Sequence, residues 1–194
     1  MMQQPKIAAI ILAAGASHRF GAADKLQASL DNETVLGRSL AAYKDAPVAR
    51  KIAIIRADKT LAAICDAAGF EAIINHHADR GMGTSIAAGM AALQDETHAL
   101  IGLGDMPRLS PQTIARLCQA PTDAAGIAVP VYQNMPGHPR LFGAAHFQSL
   151  AALRGETGGK QIIAACEHVM EIAVTDAGVM LDIDTKDQLS AAQQ

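Results

Sequence analysis

Residues 7–12 read Ile-Ala-Ala-Ile-Ile-Leu, an apolar run with no polar face. A strand half open to water alternates apolar with polar residues, so a run without alternation marks a strand covered on both faces. Covering both faces of a sheet takes helices, and 194 residues suit one such layered domain. Further strands are expected at 51–55, 71–74, 99–103 and 127–130. Helices are expected at about 35–43, at 60–68 with Gly69 as the stop, at 85–93, and from Pro111 with Ser110 as N-cap. This alternation predicts an α/β fold, a three-layer αβα arrangement around a mostly parallel, Rossmann-like sheet. Such sheets hold ligands at the carboxyl ends of their strands, so the loops after Leu12, Ile74 and Leu103 are expected to face one crevice. The rhythm breaks at residues 133–139, which read as loop. Helices over 144–153 and 160–166, a strand at 169–174, a short strand at 181–183 and a last helix capped by Thr185 with Gln188 complete the reading.

Composition narrows the function. Half of the chain is hydrophobic, yet 40 residues are Ala, so the core relies on close backbone approach. Aromatics make up 3% with no Trp, and 16 basic residues face 19 acidic ones. Neither a base-stacking platform nor a basic surface is available, which argues against nucleic acid as a partner. Cys65, Cys118 and Cys166 are odd in number and form no CxxC pair, so reduced thiols are expected rather than zinc or disulfides. Residues 1–6 are too polar for a signal peptide and no apolar run spans a bilayer; a cytoplasmic protein with no membrane partner is expected.

Three segments carry chemistry. In residues 12–25 a buried strand empties into the small residues Ala13, Ala14, Gly15 and Ala16, then presents Arg19 and Lys25. Small residues let backbone N–H groups approach an anion, and the two cations suit phosphate oxygens. Neither a Walker A loop nor an intact GxGxxG is present: Gly159-Lys160 is followed by Gln161, and Gly81-Met82-Gly83 ends on Ile86. Asp105, in Gly104-Asp105-Met106-Pro107 at a strand end, is placed to hold Mg²⁺ together with substrate phosphates. In Asp182-Ile183-Asp184-Thr185, either Asp is a candidate second ligand.

These motifs occur in the order seen in the MobA/MocA-like nucleotidyltransferases, which the chain resembles from Ile7 to Leu189. Arg19-Phe20-Gly21, Gly137-His138-Pro139, Asp187 and Leu189 belong to the same set, and the closest similarity is to the molybdenum cofactor cytidylyltransferase branch. The resemblance implies the nucleotide-diphospho-sugar transferase type of fold, with residues about 5–110 binding nucleotide and about 126–190 binding the acceptor within a single domain. It implies Leu12, Ala13, Ala14 and Gly15 on base and phosphates, Arg19 and Lys25 on the triphosphate, and Asn75 with Gly83 and Ser85 on base and ribose. Asp105 matches the metal-binding Asp; Asp184 resembles the second metal ligand, with Asp182 its rival. Ala14, where the guanylyl branch carries Gly, favours CTP over GTP, whereas the three residues between Gly21 and Lys25 resemble the guanylyl branch.

The expected reaction is Mg²⁺-dependent transfer of CMP from CTP to a phosphomonoester such as molybdopterin, with pyrophosphate released and a molybdoenzyme as possible recipient. A phosphomonoester is largely dianionic at pH 7, so no general base is needed. Arg19, Lys25 and Asp105 are the expected catalytic residues. Gly137, His138 and Pro139, with Gly158, Gly159 and Lys160, are expected to line the acceptor pocket. Alternatives are GTP as donor, a sugar phosphate as acceptor, an NAD(P)-dependent oxidoreductase using the Gly81-Met82-Gly83 turn, or a non-catalytic carrier of a finished dinucleotide cofactor.

Overall fold

The computed structural model describes residues 5–16, 20, 24–120 and 123–193. In chain order the elements are β1 (Ile7–Ala13), β2 (Ser29–Leu30), β3 (Glu33–Thr34), α1 (Val35–Ala41), β4 (Arg50–Ile55), α2 (Lys59–Ala67), β5 (Glu71–Ile74), α3 (Met82–Ala91), β6 (His98–Leu103), α4 (Pro111–Cys118), β7 (Ile127–Tyr132), β8 (Met135–Pro136), β9 (Arg140–Gly143), α5 (Phe147–Ala151), α6 (Lys160–Ala164), β10 (Val169–Ala173) and α7 (Lys186–Ala192). No described helix is long and apolar enough to cross a membrane.

The main sheet runs β10-β7-β9-β6-β1-β4-β5, with β8 paired to β7. β1 is parallel to β4 and β6, β5 to β4, and β10 to β7. β9 is antiparallel to both neighbours, β6 and β7. Its amino end therefore lies at the edge where the parallel strands finish. The Gly137-His138-Pro139 segment leading into β9 thus joins the loops after Leu12, Ile74 and Leu103.

The unbroken apolar run of β1 reflects its double cover. Ile7, Ala9, Ile11 and Ala13 pack with Leu36, Leu40, Leu61 and Ile114 of α1, α2 and α4. Ala8 and Ile10 pack with Ile86, Met90 and Leu150 of α3 and α5. The expected αβα layering is present, and small residues set its spacing. A Cβ on Gly89 of α3 would stand 2.6 Å from Ile10 Cγ2, so the helix rests directly on the sheet.

Several elements differ from the sequence reading. Gln133 and Asn134, at φ 49° and 64°, form a two-residue hairpin turn between β7 and β8, so the expected loop 133–139 contains a strand. β9, buried throughout, follows where no element was expected; four residues after a proline are too few to show a period. The segment 181–183 is no strand. Its Ile183 N–H donates to the Asp105 carbonyl at 2.9 Å, beyond the end of β6. α3 starts at Met82 instead of residue 85, after Gly81 at φ 96°. The 144–153 helix is a 3-10 turn followed by α5, and α6 stops at Ala164. The short β2–β3 hairpin was not anticipated.

Candidate active site

β1 hands over to a loop that changes character within two residues. Ala13 and Ala14 are buried, Gly15 is exposed, and a Cβ on Gly15 would meet nothing within 4 Å. Arg19 lies outside the described residues. The far end of the loop is described: Asp24 accepts from Leu26 N–H at 3.1 Å and caps the 3-10 turn that begins with Lys25.

Lys25 Nζ donates to Asp105 Oδ2 at 2.6 Å and to Asp184 Oδ1 at 2.8 Å, across sequence separations of 80 and 159 residues. Two different devices deliver the carboxylates. Asp105 follows β6 through Gly104, whose N–H donates to the Leu12 carbonyl at 2.9 Å. Asp184 comes from the tail, anchored one residue earlier. Ile183 packs with Phe20, Leu30 and Val35, and its N–H bond to the Asp105 carbonyl fixes its backbone. Gln188 Oε1 then accepts from the N–H groups of Asp184 and Thr185, both at 2.8 Å, within the expected capping box. Asp182, on the other side of Ile183, is exposed and lines a cavity instead.

Burial opposes the Lys25 charge, but Asp105 and Asp184 outweigh it and hold the ammonium pKa above its ordinary value. Burial raises the Asp105 carboxyl, with Asp182 adding to the rise, against the pull of Lys25. Lys25 thus ties together two carboxylates that reach it from distant parts of the chain. Asp105 Oδ1 is buried with no hydrogen-bond partner among the described residues. An orphaned carboxylate oxygen beside a second carboxylate fits a hard divalent cation. Among the described residues no three His, Cys, Asp or Glu side chains converge, so most ligands of such an ion would be phosphate oxygens or water.

A cavity of 810 Å³ opens on the same edge, lined by Leu12, Asp182, Gly137, His138, Gly158, Gly159 and Lys160 among others. The two segments expected to meet the acceptor are thus on one hollow. Pro139 is buried and does not line it. His138 Nδ1 is buried and has no hydrogen-bond partner among the described residues. Burial, with Arg140 adding, pushes the His138 pKa down to about 3, so the ring is neutral at pH 7. A larger hollow of 1630 Å³ lies at the opposite edge, between residues such as Pro5, Ala49, His98 and His168, away from the carboxylate pair.

Asn75 and the turn before α3 serve each other. Asn75 Nδ2 donates to Thr84 Oγ1 at 2.9 Å and Ser85 Oγ at 3.0 Å, and Oδ1 accepts from His77 N–H. A Cβ on Gly83 would stand 2.7 Å from Arg154 N, and Gly83 N–H donates to the Gly155 carbonyl at 2.8 Å. The amide of Asn75 and the glycines are therefore engaged in joining β5, α3 and the 154–156 loop. Two cations escaped the sequence reading. Arg56, past the end of β4, donates to the Gly15 carbonyl at 3.3 Å and pairs with Asp24, tying both ends of the first loop. Its position at a parallel-strand terminus was the available signal. Arg140 lines the cavity from within β9, and nothing in its spacing marks it.

Comparison with known proteins identifies the family. A curated relative, nicotine blue oxidoreductase of Paenarthrobacter nicotinovorans, is 25% identical over 197 residues, covering 95% of each chain. The crystal structure of Rv0371c from Mycobacterium tuberculosis H37Rv superimposes with a TM-score of 0.84 at 30% identity, covering 99% of both chains. Its complex with manganese gives a TM-score of 0.79 at 28% identity, over 97% of this chain and 98% of that one. The model of the MobA-like NTP transferase domain matches residues 9–169. With that match over most of its length, the chain belongs to the MobA-like NTP transferase family of nucleotidyltransferases.

Proposed function

We propose that the protein transfers CMP from CTP to a phosphomonoester of the molybdopterin type and releases pyrophosphate, with Mg²⁺ held by Asp105 and Asp184. The observation that carries this reading is the Lys25 bridge, two carboxylates meeting one ammonium beside an open glycine loop. A divalent ion at that pair supplies charge neutralisation and polarises the α-phosphate. Lys25, which a triphosphate and the carboxylates can both claim, neutralises the leaving pyrophosphate together with Arg19. The exposed backbone at Gly15 receives the nucleotide, and residues about 5–110 form its half of the domain. The acceptor occupies the 810 Å³ cavity, built largely from residues about 126–190. The acceptor's dianionic phosphate is its own nucleophile, so no side chain need remove a proton. The manganese complex of Rv0371c supports a divalent ion; the family resemblance supports a molybdopterin acceptor and a molybdoenzyme recipient in the cytoplasm; Ala14 supports CTP.

Pyrophosphate release is the test, measured with each of the four nucleoside triphosphates, Mg²⁺ and molybdopterin. CTP is expected to react fastest. Faster reaction with GTP reverses the choice of base, and silence with all four removes the transfer reading. A second reading, a nicotinamide-dependent oxidoreductase, draws on the name of the Paenarthrobacter relative. It is weakened by the Gly81-Met82-Gly83 turn, whose backbone packs on residues 154–156 instead of lying open to a pyrophosphate. Oxidation of NAD(P)H without any triphosphate present would favour it.

A further inference from the structure

Arg140 is 7% exposed and lies on the wall of the 810 Å³ cavity. β9 alternation sends Arg140 and Phe142 to the sheet face covered by α3 and α5. A guanidinium carries five N–H donors in a fixed fork. Among the described residues its hydrogen bonding is limited to Nε, which donates to the Gly137 carbonyl at 3.1 Å, and no described carboxylate forms an ion pair with it. A buried cation without a counter-ion is costly unless something answers its charge. The cavity's own acids do not. Glu156, Glu171 and Asp182 line it but are exposed at the rim, as is Lys160. His138, the other titratable group facing inward, is neutral and adds no competing charge.

We propose that Arg140 is an anion-binding residue whose fork takes an oxyanion of the acceptor, a phosphate or a carboxylate group. This names the acceptor's class within the proposed reaction and rests on that reading for the acceptor's identity; the anion site can be tested without turnover. In ¹⁵N-labelled protein the Arg140 Nε–H resonance is assigned by its loss in Arg140→Lys, then followed during titration with inorganic phosphate and, separately, acetate. A saturable shift with phosphate alone identifies a phosphoryl group, and one with acetate alone a carboxylate; a saturable shift with both still establishes the anion site. No saturable shift with either overturns the proposal. In Arg140→Gln, checked for folding by circular dichroism, phosphate is expected to move the Gly137 amide signal with affinity lower by about tenfold or more. Arg140→Lys, which keeps the charge, is expected to fall between the two. Unchanged affinity in the folded Gln variant also overturns the assignment. Failure of pyrophosphate release with an intact anion response would remove the transfer reading alone.

Discussion

Asp105 makes a demand that its surroundings only half meet. One carboxylate oxygen bonds Lys25 at 2.6 Å, and the other is buried without a partner among the described residues. Asp105→Asn keeps the size and removes the charge. The variant is expected to fold, to lose nucleotidyl transfer by about 10²–10³-fold, and to bind Mn²⁺ more weakly by electron paramagnetic resonance. Full Mg²⁺-dependent turnover would show that the metal lies elsewhere. Asp105 was legible because it sits in a short polar break at the end of an apolar run. Arg56 and Arg140 were not, since a lone cation in a sequence says nothing about its partner. Arg140 looks like any surface arginine until its burial in β9 is known.

At the scale of elements, the tail decides the geometry of the pair. α7 begins with a capping box that also reaches back to Asp184 N–H. Gln188→Ala removes the acceptor shared by Asp184 and Thr185. A lost cap costs about 1 kcal/mol, which for a domain of this size lowers Tm by about 2–4 °C. The same change should loosen Asp184, so Mn²⁺ affinity measured with CTP present is expected to fall; unchanged affinity would show that Ile183 alone positions the carboxylate. Caps of this kind are local and were read correctly, at Ser110 and at Thr185. β8 and β9 were missed because their pairing is with strands distant in the chain, and their few residues carry no period. The segment at 181–183 has the alternation of a strand, but its backbone bonds to the Asp105 carbonyl, beyond the end of β6.

The whole molecule keeps a neutral imidazole at the cavity wall. His138 has an ordinary pKa of 6.5 pushed to about 3 in the folded state. As pH falls below 6.5 the unfolded chain takes up the proton first, so the folded state loses stability progressively towards pH 3. Between pH 7 and pH 5 this one group should lower the unfolding free energy by about 2 kcal/mol. His138→Gln is expected to remove that part of the slope in urea unfolding at the two pH values; an equal slope in both proteins would mean that the ring takes up its proton in the fold as readily as in the unfolded chain.

Layering, the alternation of the longer strands and helices from β1 to β7, the glycine loop after β1 and the aspartate at the end of β6 were each present in the primary structure, because each depends on periodicity or on neighbours a few residues apart. That Asp184, rather than its rival Asp182, meets Lys25 beside Asp105 was not. It follows from burial of Ile183 among Phe20, Leu30 and Val35 and from one backbone bond to Asp105. The reversal of β9, which brings His138 and Arg140 to the carboxyl edge of the parallel strands, was equally invisible. Both outcomes depend on contacts between residues far apart in the chain, and such contacts exist only once the sheet has assembled.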